Sequence, residues 1–297
     1  MNDASEEAYV RVAVIGGGTM GVGIAHKFAA AGDEVAMVDI DLATATGAVE
    51  RVASTLYEAE ARGKLGRDAA EQAVANVFPV ASIQDLPDGL DLIVEAVIED
   101  VGLKHRILGE AEQRASTILA SNTSSISIDA LATVLTRPES FVGMHFFNPV
   151  WAMPLVEVIR GTRTSDTTLE RVAGIVAHLG MEQAVIKDAA GFATSRLGVL
   201  VGIEAIRMVE EGVGSPVDID TAMRLGYRHP MGPLMLGDLV GLDVRLQIAD
   251  HLASVYGPRF QPPDLLRSMV GRGDVGKKSG RGFYDWSSGS AVPIEEG

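Results

Sequence analysis

Three glycines near the start of the chain restrict its fold more than any other feature. Gly16, Gly18 and Gly21 have the spacing G-x-G-x-x-G, directly after the apolar run VRVAVIG and directly before a helical pattern. In that setting the first glycine permits a tight turn, the second lets the backbone approach a pyrophosphate, and the third lets helix and strand pack closely. The positive end of the helix then faces the anion. We therefore predict that this loop, including Thr19 and Met20, binds a dinucleotide.

An acidic residue at the end of the next apolar run indicates which dinucleotide binds. Asp39 closes the run EVAMVD, close to the ~20-residue separation expected for a carboxylate that binds ribose hydroxyls. Such a carboxylate repels a 2′-phosphate, and the neighbouring Ile40, Asp41 and Leu42 include no arginine that could neutralise one. We therefore predict NAD rather than NADP as the cofactor, although Asp39 could also cap a turn.

Short β-branched runs alternate with helical stretches from Val10 to about Lys187. This alternation is typical of a parallel sheet covered by helices, and the nearly continuous apolar character of the runs predicts burial of both sheet faces. The predicted strands are 10–16, 34–39, 91–97, 117–121, 141–146, 155–160 and 183–188.

The strand-like runs stop after KDAAGF, and the remaining chain has helical patterns separated by glycine and proline. We therefore predict a Rossmann-like, doubly wound α/β domain over residues 1–188 and an all-helical domain over residues 189–297. The stretch SRLGVLVGIEAIRMVEEG predicts a long, largely buried helix that ends at Gly212. Ser215 and Pro216 are predicted to open the next helix, as N-cap and first-turn residue.

Composition excludes several classes of protein. Of the 297 residues 47% are hydrophobic and 22% charged, which favours a folded globular chain over a disordered or fibrous one. A net charge of −15 argues against nucleic acid and anionic membrane surfaces as partners. The absence of cysteine excludes disulfides and thiolate metal sites, and we predict no metal site. The acidic start MNDASEEA and the lack of a long apolar run predict a cytoplasmic protein without a membrane span.

Polar residues that follow strand-like segments in the later half of the sheet are candidates for chemistry, because doubly wound folds bind ligands there. His145 could be the base for a substrate hydroxyl, Glu157 could fix its tautomer, and Ser124 could donate to the substrate oxygen during hydride transfer. Each residue alone could instead close a turn or cap a helix. The four candidates are Ser124 in SNTSSIS, His145 and Asn148 in HFFNP, and Glu157 in LVEVIR.

Short motifs occur in a fixed order along nearly the whole chain. They are GGGTMG, EAVIED, SNTSS, HFFNP, LVEVIRG, DIDTAM, PMGPL and GKKSGRGFYDW. This series resembles the 3-hydroxyacyl-CoA dehydrogenase family, especially its short bacterial 3-hydroxybutyryl-CoA dehydrogenases. The resemblance implies NAD-linked interconversion of an L-3-hydroxyacyl-CoA and a 3-ketoacyl-CoA in fatty acid metabolism. It also implies a homodimer joined through the helical domain.

The resemblance implies roles for individual residues. It makes His145 the catalytic base and Glu157 its partner, and it places Ser124 at the substrate oxygen. It implies dinucleotide contacts for Asp39, Glu99, Lys104, Asn148 and Lys278. It corresponds loosely to coenzyme A phosphate contacts at Thr55, Arg62 and Lys64, although these could equally form the solvated end of a helix.

One position departs from the family's pattern. The family usually has G-F-x-x-N-R at the entrance to its second domain, whereas this chain has GFATSR and places Ser195 at the asparagine position. We expect Ser195 to reach the substrate oxygen only through an ordered water, because its hydroxyl projects less far than an amide. The alternative is that Ser195 caps or packs the start of the long helix.

Two other functions stay open at the level of the sequence. An NAD-linked dehydrogenase of a free hydroxy acid or sugar acid could use the same serine, histidine and glutamate with a different substrate pocket. A non-catalytic NAD-binding protein would keep Gly16, Gly18, Gly21 and Asp39, but it would have no use for a paired histidine and glutamate. Acyl-chain length and the direction of the reaction are not indicated by the residues.

Overall fold

The computed structural model describes residues 10–114 and 117–294. The chain divides into two units between Ala189 and Ala190, next to the boundary predicted after residue 188. The N-terminal unit contains an eight-stranded sheet flanked by helices, and the C-terminal unit is mainly helical. The predicted fold class, a doubly wound α/β domain followed by a helical domain, is confirmed.

The sheet of the N-terminal unit positions the glycine loop, Asp39, Ser124, His145 and Glu157. Its strands are β1 (Arg11–Ile15), β2 (Glu34–Val38), β3 (Val77–Val80), β4 (Leu92–Glu95), β5 (Ile118–Ser121), β6 (Phe141–Phe146), β7 (Leu155–Arg160) and β8 (Glu182–Lys187). Their order in the sheet is β3-β2-β1-β4-β5-β6-β7-β8. The order reverses between β1 and β4, and such a reversal opens a crevice at the carboxyl ends of the strands.

Helices cover both faces of this sheet. They are α1 (Thr19–Ala30), α2 (Leu42–Ala61), α3 (Arg67–Ala75), α4 (Val101–Glu112), α5 (Ile128–Leu131) and α6 (Asp166–His178). The core forms because apolar residues of the strands, such as Val12 and Val14, pack against apolar residues of α1, such as Ile24 and Phe28, and all four are fully buried.

Strand β3 was not predicted from the sequence. It has only four residues, VFPV, and Pro79 lies inside it. Proline cannot donate to a strand ladder, so it is tolerated in edge strands, and β3 is at the edge of the sheet beside β2. The short length and the proline together hid this strand.

The prediction of a parallel sheet is wrong for the last two strands. Neighbouring strands pair in parallel across the series β3, β2, β1, β4, β5 and β6. Strand β7 is antiparallel to β6, and β8 is parallel to β7. The connection from β6 to β7, residues 147–154, is shorter than the dozen or so residues that a parallel crossover needs. This antiparallel pairing puts His145 opposite Glu157.

The prediction that both faces of every strand are buried is wrong for β8. Glu182, Gln183, Val185 and Lys187 of this strand are exposed. Strand β8 forms the second edge of the sheet, and charged residues on an edge strand oppose pairing with other chains.

The C-terminal unit differs from an all-helical domain in one detail. Its helices are α7 (Thr194–Glu210), α8 (Pro216–Gly226), α9 (Pro233–Val240), α10 (Leu242–Tyr256) and α11 (Asp264–Arg272). Two short strands, β9 (Tyr284–Asp285) and β10 (Val292–Pro293), pair near the end of the chain. Across residues 10–114 and 117–294, no helix combines the length and apolar character that crossing a membrane requires.

The first helix of this unit is less buried than predicted. Val199, Ile203 and Ile206 of α7 are buried, but Leu197 and Leu200 are exposed. Gly212 follows the end of α7 and has a positive φ of 69°, as expected for a glycine that ends a helix. The N-cap of α8 is Ser215, whose hydroxyl accepts the amide N–H of Asp218 at 3.2 Å.

Two buried carboxylates explain the motifs DIDTAM, PMGPL and GFYDW. Asp220 accepts the N–H groups of Leu234 at 2.8 Å and Met235 at 2.9 Å, at the start of α9. Asp238 accepts the backbone N–H groups of residues 283 and 284 and the indole N–H of Trp286. Burial raises the pKa of Asp238, against these hydrogen bonds. The motifs therefore hold the C-terminal segment against the helices.

In the glycine loop between β1 and α1, Gly16 and Gly21 have no room for a side chain, whereas Gly18 has. Gly16 has a φ of +107°, and a Cβ there would lie 2.6 Å from the carbonyl oxygen of Ala96. A Cβ at Gly21 would overlap the carbonyl oxygen of Gly16, because helix and strand touch there. A Cβ at Gly18 would meet nothing within 4 Å. The space beside Gly18 is therefore open for a ligand.

We expect Gly21→Ala and Gly18→Ala to differ in stability. The Cβ at residue 21 forces backbone apart, which should cost about 1–3 kcal/mol or more of unfolding free energy. The Cβ at residue 18 enters open space, so only the poorer N-cap propensity of alanine should act there, at a cost of about 1 kcal/mol or less. Thermal melting of both variants beside the parent checks this. Equal melting temperatures for the two variants would contradict the close approach at Gly21.

Candidate active site

A cavity of about 700 Å³ lies at the carboxyl ends of β1, β2 and β4 in the N-terminal unit. The glycine loop forms one wall, and four of its five predicted cofactor-binding residues line the cavity: Gly16, Gly18, Thr19 and Met20. Gly21 lies behind this wall, at the contact between helix and strand. The position is the one where doubly wound sheets hold a dinucleotide.

The residues around the cavity fit a dinucleotide. The open space at Gly18 lies at the first turn of α1, where backbone N–H groups attract a pyrophosphate. Ile40 and Ile98 line the same cavity while 86% and 73% exposed, so they offer apolar surface that a flat base can cover.

The carboxylate of Asp39 is held at the rim of the cavity. Its Oδ2 accepts the N–H of Gly17 at 2.6 Å, and its Oδ1 accepts the N–H of Ile40 at 2.7 Å. A carboxylate fixed in this way beside the glycine loop can accept hydrogen bonds from ribose hydroxyls.

An arginine that is distant from Asp39 in the chain also lies beside the loop. Arg51 of α2 donates to the carbonyl oxygen of Gly17 at 2.7 Å. A Cβ at Gly17 would lie 2.9 Å from Oδ2 of Asp39 and 3.7 Å from a guanidinium nitrogen of Arg51, so both charged groups border this glycine. The residues next to Asp39 in the chain include no arginine. The fold brings a positive charge to the same place from the following helix.

His145 and Glu157 meet because β6 and β7 are antiparallel. The two residues are opposite each other in the register, and Nδ1 of His145 lies 2.9 Å from Oε2 of Glu157. Both side chains are buried. A carboxylate bonded to Nδ1 keeps a proton on that nitrogen and the lone pair on Nε2. The pair can therefore accept a proton at Nε2 and stabilise the resulting imidazolium.

In SNTSS, anchor residues make hydrogen bonds to neighbouring strands and loops, and Ser124 is exposed. The anchors include Ser121, Asn122 and Thr123. Ser121 donates to Oε2 of Glu95 at 2.6 Å, and Oδ1 of Asn122 accepts the N–H of Phe146 at 2.9 Å. Thr123 donates to Oε1 of Glu99 at 2.6 Å. The next residue, Ser124, is exposed and lies at the carboxyl edge of the sheet, after β5.

The structure gives Glu99 and Lys104 contacts other than the predicted dinucleotide contacts. The ammonium of Lys104 lies 2.6 Å from Oε1 of Glu95 and 3.3 Å from Oε2 of Glu99. Burial alone would raise the pKa of Glu99, but the hydrogen bond from Thr123 and the charge of Lys104 outweigh burial and hold that pKa below its usual range. Neither residue lines the cavity. Sequence reasoning also missed Glu95, although an acid at the end of an apolar strand is a signal for a buried partner.

The structure shows where three further candidates lie, and their predicted roles in binding or catalysis stay predictions. Asn148 is exposed in the connection between β6 and β7. Lys278 belongs to the C-terminal unit, where its ammonium lies 2.6 Å from Oδ1 of Asp243. Ser195 is the second residue of α7 and is half-buried, and the N-cap of that helix is Ala193, so the alternative that Ser195 is the cap is wrong.

The predicted coenzyme A residues are not equally suited to bind phosphate. The hydroxyl of Thr55 already donates to the carbonyl oxygen of Val52 at 2.8 Å, and Nδ1 of His26 lies 2.9 Å from it. Burial, followed by the charge of Lys27, lowers the pKa of His26 to about 4, so this ring is neutral near pH 7. Arg62 and Lys64 are exposed, and Arg62 pairs with a glutamate one turn earlier. Phosphate binding at these three positions stays a prediction.

Comparison with known proteins agrees with the motif series. The NAD-binding domain of 3-hydroxyacyl-CoA dehydrogenases matches residues 11–189, and the C-terminal domain of the same enzymes matches residues 191–286. A probable 3-hydroxybutyryl-CoA dehydrogenase of Deinococcus radiodurans is 42% identical over 283 residues, which cover 93% of this chain and 100% of that protein.

A second relative and a solved structure extend this agreement. A 3-hydroxybutyryl-CoA dehydrogenase of Bradyrhizobium diazoefficiens is 39% identical, with 95% of this chain and 97% of the relative covered. The crystal structure of an (S)-3-hydroxybutyryl-CoA dehydrogenase of Ralstonia eutropha has a TM-score of 0.88 and 41% identity, and covers 94% of this chain and 99% of that chain. The predicted family and enzyme class are confirmed: the chain belongs to the 3-hydroxyacyl-CoA dehydrogenase family.

Proposed function

We propose that this chain uses NAD to interconvert an L-3-hydroxyacyl-CoA and the corresponding 3-ketoacyl-CoA, with His145 as the general base. The observation that carries the proposal is the buried hydrogen bond between His145 and Glu157 in a domain with a dinucleotide cavity. The carboxyl end of β6, where His145 lies, is at the same edge of the sheet as the cavity, because β6 is parallel to the strands that border it. A base and a cofactor site at one edge suit hydride transfer from an alcohol.

The residues divide the chemistry between them. When bound, NAD⁺ supplies the acceptor for the hydride that leaves C3 of the substrate. As that C–H bond breaks, Nε2 of His145 takes the proton of the 3-hydroxyl, and Glu157 stabilises the imidazolium. The hydroxyl of Ser124 donates to the same oxygen as it becomes a carbonyl. In the reverse direction His145 returns the proton to the oxygen.

The helical unit supports the further proposal of a homodimer. Several large apolar side chains of this unit are exposed, and such residues mark an interaction site where they form a contiguous patch. They are Leu197, Leu200, Leu225, Tyr227, Leu236 and Leu239. A cytoplasmic location stays a prediction from the sequence.

The assay that tests the proposed function follows NADH oxidation with acetoacetyl-CoA and longer 3-ketoacyl-CoAs. Acetoacetate, which has the same acyl group without coenzyme A, is the control for a dehydrogenase of free acids. Turnover of the thioesters only is the expected result. Turnover of acetoacetate only would replace the acyl-CoA substrate by a free hydroxy acid, and NADH binding without any turnover would favour a non-catalytic protein.

We expect His145→Gln to lower kcat by roughly 10² or more while the Kd for NADH stays nearly unchanged, because a general base acts in the transition state. Glu157→Gln should have an effect of the same kind, since an amide cannot stabilise the imidazolium in the same way. Steady-state kinetics with acetoacetyl-CoA and NADH titration by fluorescence provide the two measurements. A variant with the parent's kcat would remove that residue from the mechanism.

We expect NADH to be preferred over NADPH by at least about tenfold in kcat/KM, because Asp39 lies where a 2′-phosphate would sit. Arg51 lies beside the same site, so Arg51→Ala should raise this preference and Asp39→Asn should lower it. Arg67→Ala, which removes an exposed arginine of α3, is the matched control and should leave the ratio unchanged. Equal use of both cofactors by the parent enzyme would contradict the role of Asp39.

We expect Ser124→Ala and Ser195→Ala to differ in their cost to turnover. A donor aimed directly at the substrate oxygen is worth about 10²–10³ in kcat, which is the expected loss for Ser124→Ala. Ser195→Ala should lose about tenfold or less, because a water-bridged contact can reorganise. Ser195→Asn, which restores the family's residue, should keep the parent's kcat.

Melting temperatures measured beside kcat separate the two possible roles of Ser195. A lower melting temperature with unchanged kcat would mean that Ser195 only packs the first turn of α7. A loss of kcat as large as that of Ser124→Ala would make Ser195 a direct donor instead.

A further inference from the structure

One wall of the cavity beside the glycine loop is a single face of helix α4. Leu103, Arg106, Ile107 and Glu110 of this helix line the cavity. They have the spacing i, i+3, i+4 and i+7, which places four side chains on one face of a helix. With a rise of about 1.5 Å per residue, Glu110 lies about 10 Å further along the helix axis than Leu103. The cavity therefore extends along α4, away from the glycine loop.

The apolar residues of the cavity provide a place for a flat base. Ile40 and Ile98 are largely exposed, and Leu103 and Ile107 of α4 line the same cavity. A planar base that lies against these side chains removes their apolar surface from water. In a dinucleotide held by the glycine loop and Asp39, the adenine follows the ribose. The adenine therefore reaches this apolar part of the cavity.

A carboxylate lies beyond the apolar residues on the same face of α4. Glu110 follows Ile107 by one turn, lines the cavity and is half-buried. Its Oε2 accepts the amide N–H of Gln84 at 3.3 Å, and Gln84 lines the cavity as well. Within residues 10–114 and 117–294, its Oε1 has no hydrogen-bond partner. One oxygen of this carboxylate is thus held, and the other is available to a ligand.

A carboxylate at this place can distinguish adenine from other purines. Adenine carries an amino group at C6, which donates hydrogen bonds, whereas hypoxanthine and guanine carry an oxygen there, which accepts them. A carboxylate accepts hydrogen bonds and does not donate them. Opposite the amino group it gains a charge-assisted hydrogen bond, and opposite an oxygen it meets repulsion.

We propose that Glu110 recognises the 6-amino group of adenine and makes the cavity specific for adenine nucleotides. Gln84 holds Oε2 of this carboxylate and leaves Oε1 to the base. The proposal rests on the proposed function, because it takes NAD as the ligand of the cavity. It adds a second selection to the one at Asp39, since Asp39 acts on the ribose and Glu110 acts on the base.

Binding of ADP and of inosine diphosphate, in which hypoxanthine replaces adenine, tests the proposal without turnover. The two ligands carry the same ribose and the same diphosphate, so that only the base differs. We expect ADP to bind at least about tenfold more tightly, because a site with a fixed acceptor rejects a ligand that lacks the donor. Calorimetry with the parent protein measures both Kd values. Equal Kd values, or no binding of ADP, would overturn the proposal.

Glu110→Gln shows whether this residue is the source of the preference. A glutamine amide can accept from an amino group or donate to an oxygen, so the ratio of the two Kd values should fall below about threefold. Glu71→Gln changes an exposed glutamate of α3 that pairs with Arg67, and as the matched control it should keep the parent's ratio. A preference that survives in Glu110→Gln, or that falls equally in Glu71→Gln, contradicts the role of Glu110.

The same preference should appear with whole dinucleotides. Reduced nicotinamide hypoxanthine dinucleotide should have a KM at least about fivefold above that of NADH with acetoacetyl-CoA, while kcat stays nearly unchanged, because the base takes no part in hydride transfer. An equal KM would count against Glu110. The two proposals fail separately: turnover of acetoacetyl-CoA with equal binding of ADP and inosine diphosphate would leave the dehydrogenase and remove the role of Glu110. A preference for ADP without turnover would do the reverse.

Discussion

The antiparallel pairing of β6 with β7 is the interaction on which the candidate active site depends. It places His145 opposite Glu157, so that a buried carboxylate and a buried imidazole meet at 2.9 Å. A shift of β7 by one residue against β6 would turn Glu157 to the other face of the sheet, away from His145. The carboxylate would then lie buried without its partner, which is a large energetic cost. The register is therefore held both by the apolar residues of the two strands and by the pair itself.

The same edge of the sheet contains a second set of buried charges. Glu95, at the end of β4, would be costly in an apolar interior if Lys104 did not lie 2.6 Å away. Replacing such a set by apolar residues often leaves a protein equally stable, so stability alone does not explain its presence. Its hydrogen bonds lead to Ser121, Thr123 and the backbone of Ser124. The set therefore holds the loop that contains Ser124 in place.

The sequence predicted the glycine loop and the pair of histidine and glutamate, because these depend on local spacing or on motifs. It did not predict contacts between residues that are distant in the chain but close in the fold. Arg51 was missed because a helix brings it to Gly17 from a distant position in the chain. The antiparallel direction of β7 could have been predicted, since the connection 147–154 is too short for a parallel crossover. The exposure of Leu197 could not be predicted, because the apolar pattern of a helix does not show which of its residues other elements cover.

The motifs of this chain do not all mark chemistry, and their hydrogen bonds distinguish the two kinds. In the C-terminal unit Asp220 and Asp238 accept backbone N–H groups from distant segments and have no exposed face, so DIDTAM and GFYDW hold the fold together. In HFFNP and LVEVIRG the paired side chains bond to each other at the edge where ligands bind, which suits proton transfer. SNTSS combines both kinds, since Thr123 is an anchor and Ser124 is exposed. The role of a motif residue therefore follows from where its polar atoms are directed.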